Sequence, residues 1–195
     1  TYTADWSVDF NGLREGKNYV TVRAWDKAGN VSPDPVGLDV FYILKDTTPP
    51  SIINNQSGDN TWRNAPGTTY DVDFTDSGGS LLDHAQYKIE DADGNVLVDW
   101  YTFASNISSS SYTDDWNVDA NWNNLVCGYN YVSVRVFDVA GNTTTLNNAF
   151  YIKKDTTPPV VSDFQDGDDN WRNSGGTLYN VDFSDSYSLL DSAYY

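Results

Sequence analysis

The chain is poor in the residues on which most site chemistry depends. Its 195 residues include one histidine, one cysteine, and 11 basic side chains against 28 acidic ones, for a formal charge of −17. A single cysteine, Cys127, excludes a disulfide framework within the chain; a small residue in or near a core is the expected role of its side chain. Scarce positive charge disfavours nucleic acid and anionic membranes as partners and favours cations. No apolar run approaches the ~20 residues needed to cross a bilayer, so no membrane insertion is expected. No glycine-rich phosphate loop precedes a helical pattern, and no long helical pattern is present.

What the chain has in abundance is self-similarity. Asp46-Thr47-Thr48-Pro49-Pro50 returns as Asp155-Thr156-Thr157-Pro158-Pro159, a spacing of 155 − 46 = 109 residues. Trp62-Arg63-Asn64 returns as Trp171-Arg172-Asn173, and Tyr70 to Phe74 returns as Tyr179 to Phe183. Toward the other end, Asn18 to Arg23 reappears as Asn130 to Arg135, and Asp26-Lys27-Ala28-Gly29-Asn30 as Asp138-Val139-Ala140-Gly141-Asn142. A fixed period of this length is the signature of a tandem array. The alignment gives one complete unit, 46–154, flanked by the C-terminal part of one unit (1–45) and the N-terminal part of the next (155–195). The ends carry no start Met, signal peptide or tail, and a segment of a longer repeat protein is expected. The competing expectation is that the end segments of successive copies pair head to tail and grow a fibre.

Aromatic and β-branched enrichment, with abundant Asn, Ser, Thr, Gly and Asp, predicts strands joined by turns. Seven segments are expected in the complete unit: 51–55, 69–75, 85–90, 95–101, 110–118, 131–137 and 146–153. In the second, Tyr70, Val72 and Phe74 alternate with Asp71 and Asp73, which reads as a half-buried strand with a solvated acidic face. Seven short strands in about 109 residues is the pattern of an all-β, two-sheet sandwich.

Valine alternation ending in Asp-x-Ala-Gly-Asn, one further strand, then Asp-Thr-Thr-Pro-Pro resembles the bacterial immunoglobulin-like tandem repeats of large cell-surface proteins and adhesins. The resemblance spans the whole chain through its repeat; fibronectin type III-like modules are the nearest confusion. It implies immunoglobulin-like β-sandwich repeats, secretion to the cell surface or beyond, and a structural rod or filament rather than an enzyme. Two features depart from the pattern. Asn18 and Asn130 stand where many members carry Tyr, eight residues before the turn Asp. The unit is also longer than the about 100 residues of immunoglobulin domains, and its Trp-Arg-Asn segment is extra.

Catalysis finds little support: His84 has Ser192 as its counterpart, so no histidine-based site recurs. In an immunoglobulin-like unit the first strand's start, the loop after the second and the last turn share one pole, which here carries Asp46, Asp76 and Asp138. Calcium takes six to eight oxygens from carboxylates and carbonyls. The resemblance implies calcium held at unit junctions by Asp138 and Asp46, with Asp26, Asp155 and Asp185 as echoes at neighbouring joints. Asp59 is placed at the opposite pole, facing the Asp155 joint. The alternative is that Asp26 and Asp138 only cap their Ala-Gly-Asn turns. Asp91-Ala92-Asp93-Gly94-Asn95 reads as a hairpin turn rather than a calcium loop, because no downstream Glu stands at the right distance.

Trp62, Trp100, Trp116 and Trp122, with interleaved Asn, motivate a rival function, a carbohydrate-binding module with glycan contact. The recurrence of Trp62 as Trp171 and of Trp116 as Trp6 fits packing at least as well. Asn30, Asn55, Asn106 and Asn142 match the glycosylation sequon, and Asn30 is discounted because Pro33 follows it. Lys153 or Lys154 is placed to form a Lys–Asn staple of the kind found in related surface domains, although no partner is marked.

Overall fold

The computed structural model describes residues 1–32, 40–56, 60–167 and 169–195. In chain order the strands are β1 (Gly16–Val20), β2 (Phe41–Lys45), β3 (Ser51–Asn54), β4 (Trp62–Arg63), β5 (Val72–Thr75) and β6 (Leu82–Asp91). They continue with β7 (Val96–Ala104), β8 (Ser111–Tyr112), β9 (Gly128–Asp138), β10 (Thr143–Lys154), β11 (Val160–Asp163) and β12 (Val181–Ser184). The only helical turns among the described residues are two 3-10 segments, Phe10–Gly12 and Asp119–Asn124. The chain is therefore all-β.

Residues 46–154 form two sheets, one with the order β3-β5-β8 and one with the order β4-β10-β9-β6-β7. Alternation sets which side chains meet between them. Val132, Val134 and Val136 of β9 are fully buried, while Tyr131, Arg135 and Phe137 on the other face stay partly exposed. From the three-stranded sheet, Val72 and Phe74 enter the same core. Trp116 stacks on Phe103 at 4.2 Å and on Tyr87 at 5.7 Å, and Tyr70 stacks on Phe150 at 4.5 Å. Each such ring withdrawn from water contributes on the order of 1.5–3 kcal/mol.

Five of the seven expected segments correspond closely to β3, β6, β7, β9 and β10. The segment 69–75 shortens to Val72–Thr75, preceded by an isolated bridge between Tyr70 and Trp116. The segment 110–118 forms a ladder only at Ser111–Tyr112. Beyond it the chain leaves the sheet and places both Trp116 and Val118 in the core, then turns through Asp119–Asn124. An eighth strand, β4, was not anticipated; its two residues pair in parallel with Lys153 and Lys154 of β10. The β10–β9 register shifts between Leu146 and Phe150. At that bulge Asn148 takes a φ of 48°, and its N–H donates to the buried Ser133 hydroxyl at 3.0 Å.

The flanking segments each hold one antiparallel pair, β1 with β2 and β11 with β12. Their local bonds repeat those of the central unit. Asn18 Nδ2 donates to the Arg14 and Gly16 carbonyls, as Asn130 Nδ2 does to those of Val126 and Gly128. Lys45 Nζ donates to the carbonyls of Phe10 and Leu13, as Lys154 Nζ does to those of Trp122 and Leu125.

Candidate functional site

Three strand ends converge where the complete unit meets the segment before it. Asp46 follows β2, and its carboxylate accepts N–H bonds from Thr48 and Ser80, both at 2.9 Å. Burial pushes this carboxyl up, but the Ser80 hydroxyl and the N–H groups of Thr48 and Ser80 prevail and hold it below its ordinary value. Asp76 follows β5 and is buried; it accepts from the N–H groups of Gly78 at 3.2 Å and Leu81 at 3.0 Å. Leu81 reaches that position with a φ of 73°. Asp138 ends β9, is 2% exposed, and accepts from the Asn142 N–H and Nδ2, both at 2.8 Å. Asn142 Nδ2 also donates to the Asp46 carbonyl at 3.2 Å, tying the last turn of the unit to its first residue.

One oxygen from each of Asp46, Asp76 and Asp138 lies within 4.8 Å of the other two. Among the described residues this is the only group of three ligating side chains so disposed. Gly78 makes the approach feasible, because a Cβ there would lie 1.9 Å from Asp46 Oδ1. Ser80 adds a buried hydroxyl oxygen beside Asp46. Beside the triad a cavity of about 290 Å³ is lined by Gly16, Leu44 and Lys45 on one side and by Asp46, Gly79, Ser80, Val139 and Ala140 on the other. A carboxylate oxygen engaged by one N–H retains a lone pair. The donor set is all oxygen and thrice negative, which suits a hard cation such as calcium.

The second joint repeats part of this arrangement. Asp155 is buried and accepts from the N–H groups of Thr157 at 2.9 Å and Ser188 at 3.0 Å. Asp185 accepts from the Ser188 hydroxyl at 3.4 Å and the Leu189 N–H at 2.8 Å, with Leu189 at a φ of 68°. The two carboxylates thus share Ser188. Asp26 stands apart and exposed, bonded to the N–H groups of Ala28 and Asn30 and to Asn30 Nδ2. Asp59 lies outside the described residues.

The turn-capping alternative also has a clear structural form. Asp26, Asp91 and Asp138 each accept from the N–H and the side-chain amide of the Asn four residues on. The Gly before that Asn has a φ between 84° and 92° in all three turns. That bond pattern belongs to the Asp-x-x-Gly-Asn turn itself. What distinguishes Asp138 is the pair of carboxylates beside it.

The four tryptophans of the glycan reading do not share one surface. Trp116 and Trp122 are core residues, 4% and 7% exposed. Trp62 and Trp100 remain partly exposed, with Lys153 4.9 Å and Arg135 4.2 Å from their respective ring centroids. Tyr129, Tyr131 and Tyr151, which the sequence did not single out, continue the strip beside Trp62. Asp71 and Asp73 are only half-buried, and both accept from Asn55 Nδ2.

Sequence reasoning missed two structural anchors, although both recur at the repeat spacing. Asn130 is fully buried and holds the entry to β9 through Val126 N–H at 3.0 Å and three carbonyls, including that of Ile152. Lys154, considered for a covalent staple, is buried with its ammonium bonded to two carbonyls, while Lys153 donates to the Asn60 carbonyl. Cys127 is half-buried with Sγ 3.5 Å from Thr156 Oγ1, and that contact holds the thiol below its ordinary value. Glu15 meets Thr47 in the same way at the first joint. Comparison with family models, curated proteins and solved structures finds no match to this chain.

Proposed function

We propose that this chain is a structural segment of a long, secreted, acidic rod or filament, built from immunoglobulin-like units whose joints hold calcium. The reading is non-catalytic: the chain spaces or assembles, and its neighbouring units are its first partners. The order β3-β5-β8 opposite β10-β9-β6-β7 supports the immunoglobulin-like assignment, since it matches the strand arrangement of such sandwiches. The recurring Asp-Thr-Thr-Pro-Pro joints support the rod, because each proline fixes φ and restrains the residue before it.

The observation that carries the proposal is the convergence of Asp46, Asp76 and Asp138 beside the first joint. Three carboxylates so close repel one another unless a cation lies among them. Asp46, Asp76, Asp138 and the Ser80 hydroxyl would hold the ion, and the ion would lower that repulsion. Its mechanical effect follows from where the ligands sit. Asp46 opens the unit at the joint, whereas Asp76 follows β5 and Asp138 ends β9 of the same unit, so binding would fix the joint to the body of the unit and limit bending.

Calorimetric titration with calcium tests this directly. Binding is expected in the wild type, with affinity at least about tenfold weaker in Asp76→Asn or Asp138→Asn. No heat at millimolar calcium, with the fold intact, overturns the site. A second reading, a carbohydrate-binding module, draws on the partly exposed strip of Trp62, Tyr129, Tyr131 and Tyr151. Quenching or a blue shift of tryptophan fluorescence on adding neutral polysaccharides would favour it, and an unchanged spectrum would remove it.

A further inference from the structure

We propose that the outer face of the five-stranded sheet binds an acidic polysaccharide, with Arg135 and Lys153 taking carboxylates of its uronate sugars and the rings beside them taking the sugar faces. This deepens the carbohydrate-binding reading of the same strip, on which it rests, and adds to it the sign of the ligand's charge. In a chain of charge −17, the cations Lys88, Arg135 and Lys153 of the central unit all stand on this one face. The outer face of the three-stranded sheet carries Asp73 instead, with Asp71 beside it.

Two of the three cations have no acidic partner. Lys88 is paired with Glu90 at 2.8 Å. Among the described residues no carboxylate pairs with Arg135 or Lys153, and both are held in place by rings. The Arg135 guanidinium lies 4.2 Å from the Trp100 ring centroid and 5.3 Å from that of Phe137, and its Nε donates to Gln86 at 2.6 Å. The remaining N–H donors of its fork are left for a ligand, and a guanidinium fork matches a carboxylate. The Lys153 ammonium lies 4.9 Å from Trp62 and 5.4 Å from Tyr129, and donates to the Asn60 carbonyl. Lys153 stands opposite Tyr129 in the ladder, so 135 − 129 = 6 residues of β9 separate the two stations. At about 3.3 Å per residue that is roughly 20 Å, which suits a polymer of several sugars. Tyr131 lies between them and supplies a further ring.

The preceding unit keeps the arrangement with different residues. Lys17 stands opposite Leu44 as Tyr129 stands opposite Lys153. The lysine has changed strands, yet its ammonium still lies over a tyrosine, Tyr42, at 4.6 Å. Arg23 is the counterpart of Arg135. Packing on an outer face has no need of that charge, whereas an anionic ligand does. Few and widely spaced cations in an acidic protein fit a sparsely charged polysaccharide better than a nucleic acid with a phosphate at every nucleotide.

Calorimetric titration of the 195-residue chain in chelator tests the proposal. The probes are polygalacturonate and hyaluronan, and methyl-esterified polygalacturonate is the control that keeps the rings and removes the charge. Both acidic polymers should bind at about 20 mM salt and be released as salt rises to about 0.5 M. Arg135→Gln and Lys153→Gln should each weaken binding about tenfold, the loss expected of one charge-assisted contact, with the melting transition unchanged. Arg135→Lys should recover only part of that loss, because it restores the charge without the fork. Equal binding of the ester overturns the proposal and leaves the carbohydrate reading standing, whereas no binding of any polymer removes both. Binding of the acidic polymers that survives both Gln substitutions overturns it too. A single-stranded oligonucleotide bound more tightly than either polymer would reassign the face to phosphate and likewise overturn it.

Discussion

Lys154 and Lys45 end equivalent strands and donate to equivalent pairs of carbonyls, yet they stand in different surroundings. Around Lys154 lies a closed core of 17 buried apolar residues drawn from both sheets. Around Lys45 the rings of Phe41 and Tyr42 are 40% and 54% exposed. The same contrast runs through Asn130 and Asn18, Asp138 and Asp26, and Leu82 and Leu190. Turns and caps form from a few neighbouring residues, so they are complete in all three parts of the chain. Burial needs two sheets, and only residues 46–154 bring both.

That difference is sharpened most by the aromatic core. Phe150→Ala should cost about 3–5 kcal/mol in the urea unfolding of the central unit, the range for deleting a buried ring. Phe41→Ala, its counterpart on an open face, should change monomer stability by no more than about 0.5 kcal/mol. Equal costs would mean that the N-terminal face is already covered in solution. Next in size is the buried amide. Asn130→Ala leaves an N–H and carbonyls at the entry to β9 without partners, at about 1–3 kcal/mol. Asn18→Ala, where water reaches the same groups, should cost a few tenths by the same reasoning.

The smallest effect is electrostatic. Hydrogen bonds from the side-chain amides and N–H groups of Asn30 and Asn95 hold the Asp26 and Asp91 carboxyls below their ordinary value. Thr47, through its hydroxyl and N–H, does the same for Glu15. A carboxyl lowered by folding adds stability above its unfolded value, and that stability is lost as the pH falls through the folded value. The melting point should therefore hold steady toward pH 5 and fall below about pH 4. Carboxyl NMR titration should place Asp26 and Asp91 beneath an ordinary aspartate to a similar degree, because their turns make the same bonds. A normal value for Asp26 alone would show that its turn opens in the flanking segment.

Much of this architecture is legible in the residues. Alternation in β9 and β5 announces which faces are buried, and Asp-x-x-Gly-Asn announces its turn, because both depend on contacts a few residues long. The convergence of Asp46, Asp76 and Asp138 followed only from a prior expectation of which loops share a pole. What stayed hidden was non-local. Nothing near Trp62 signals a two-residue parallel pairing with Lys153, and nothing near Trp116 signals that the chain would leave its ladder to fill the core. Lys154 suggests only one end of a covalent staple until the 3-10 turn at Asp119–Asn124 and the residue after it supply its carbonyls. Trp116 and Trp122 suggested a sugar platform because exposure depends on the opposing sheet.

The most direct test of the account is a paired thermal melt and small-angle scattering profile, first with millimolar calcium and then with chelator. The account predicts a higher melting point and a longer, stiffer particle with calcium, both effects being reduced in Asp138→Asn. Superimposable curves in the two conditions would contradict it, leaving the three carboxylates as turn caps and the joint restrained by its prolines alone.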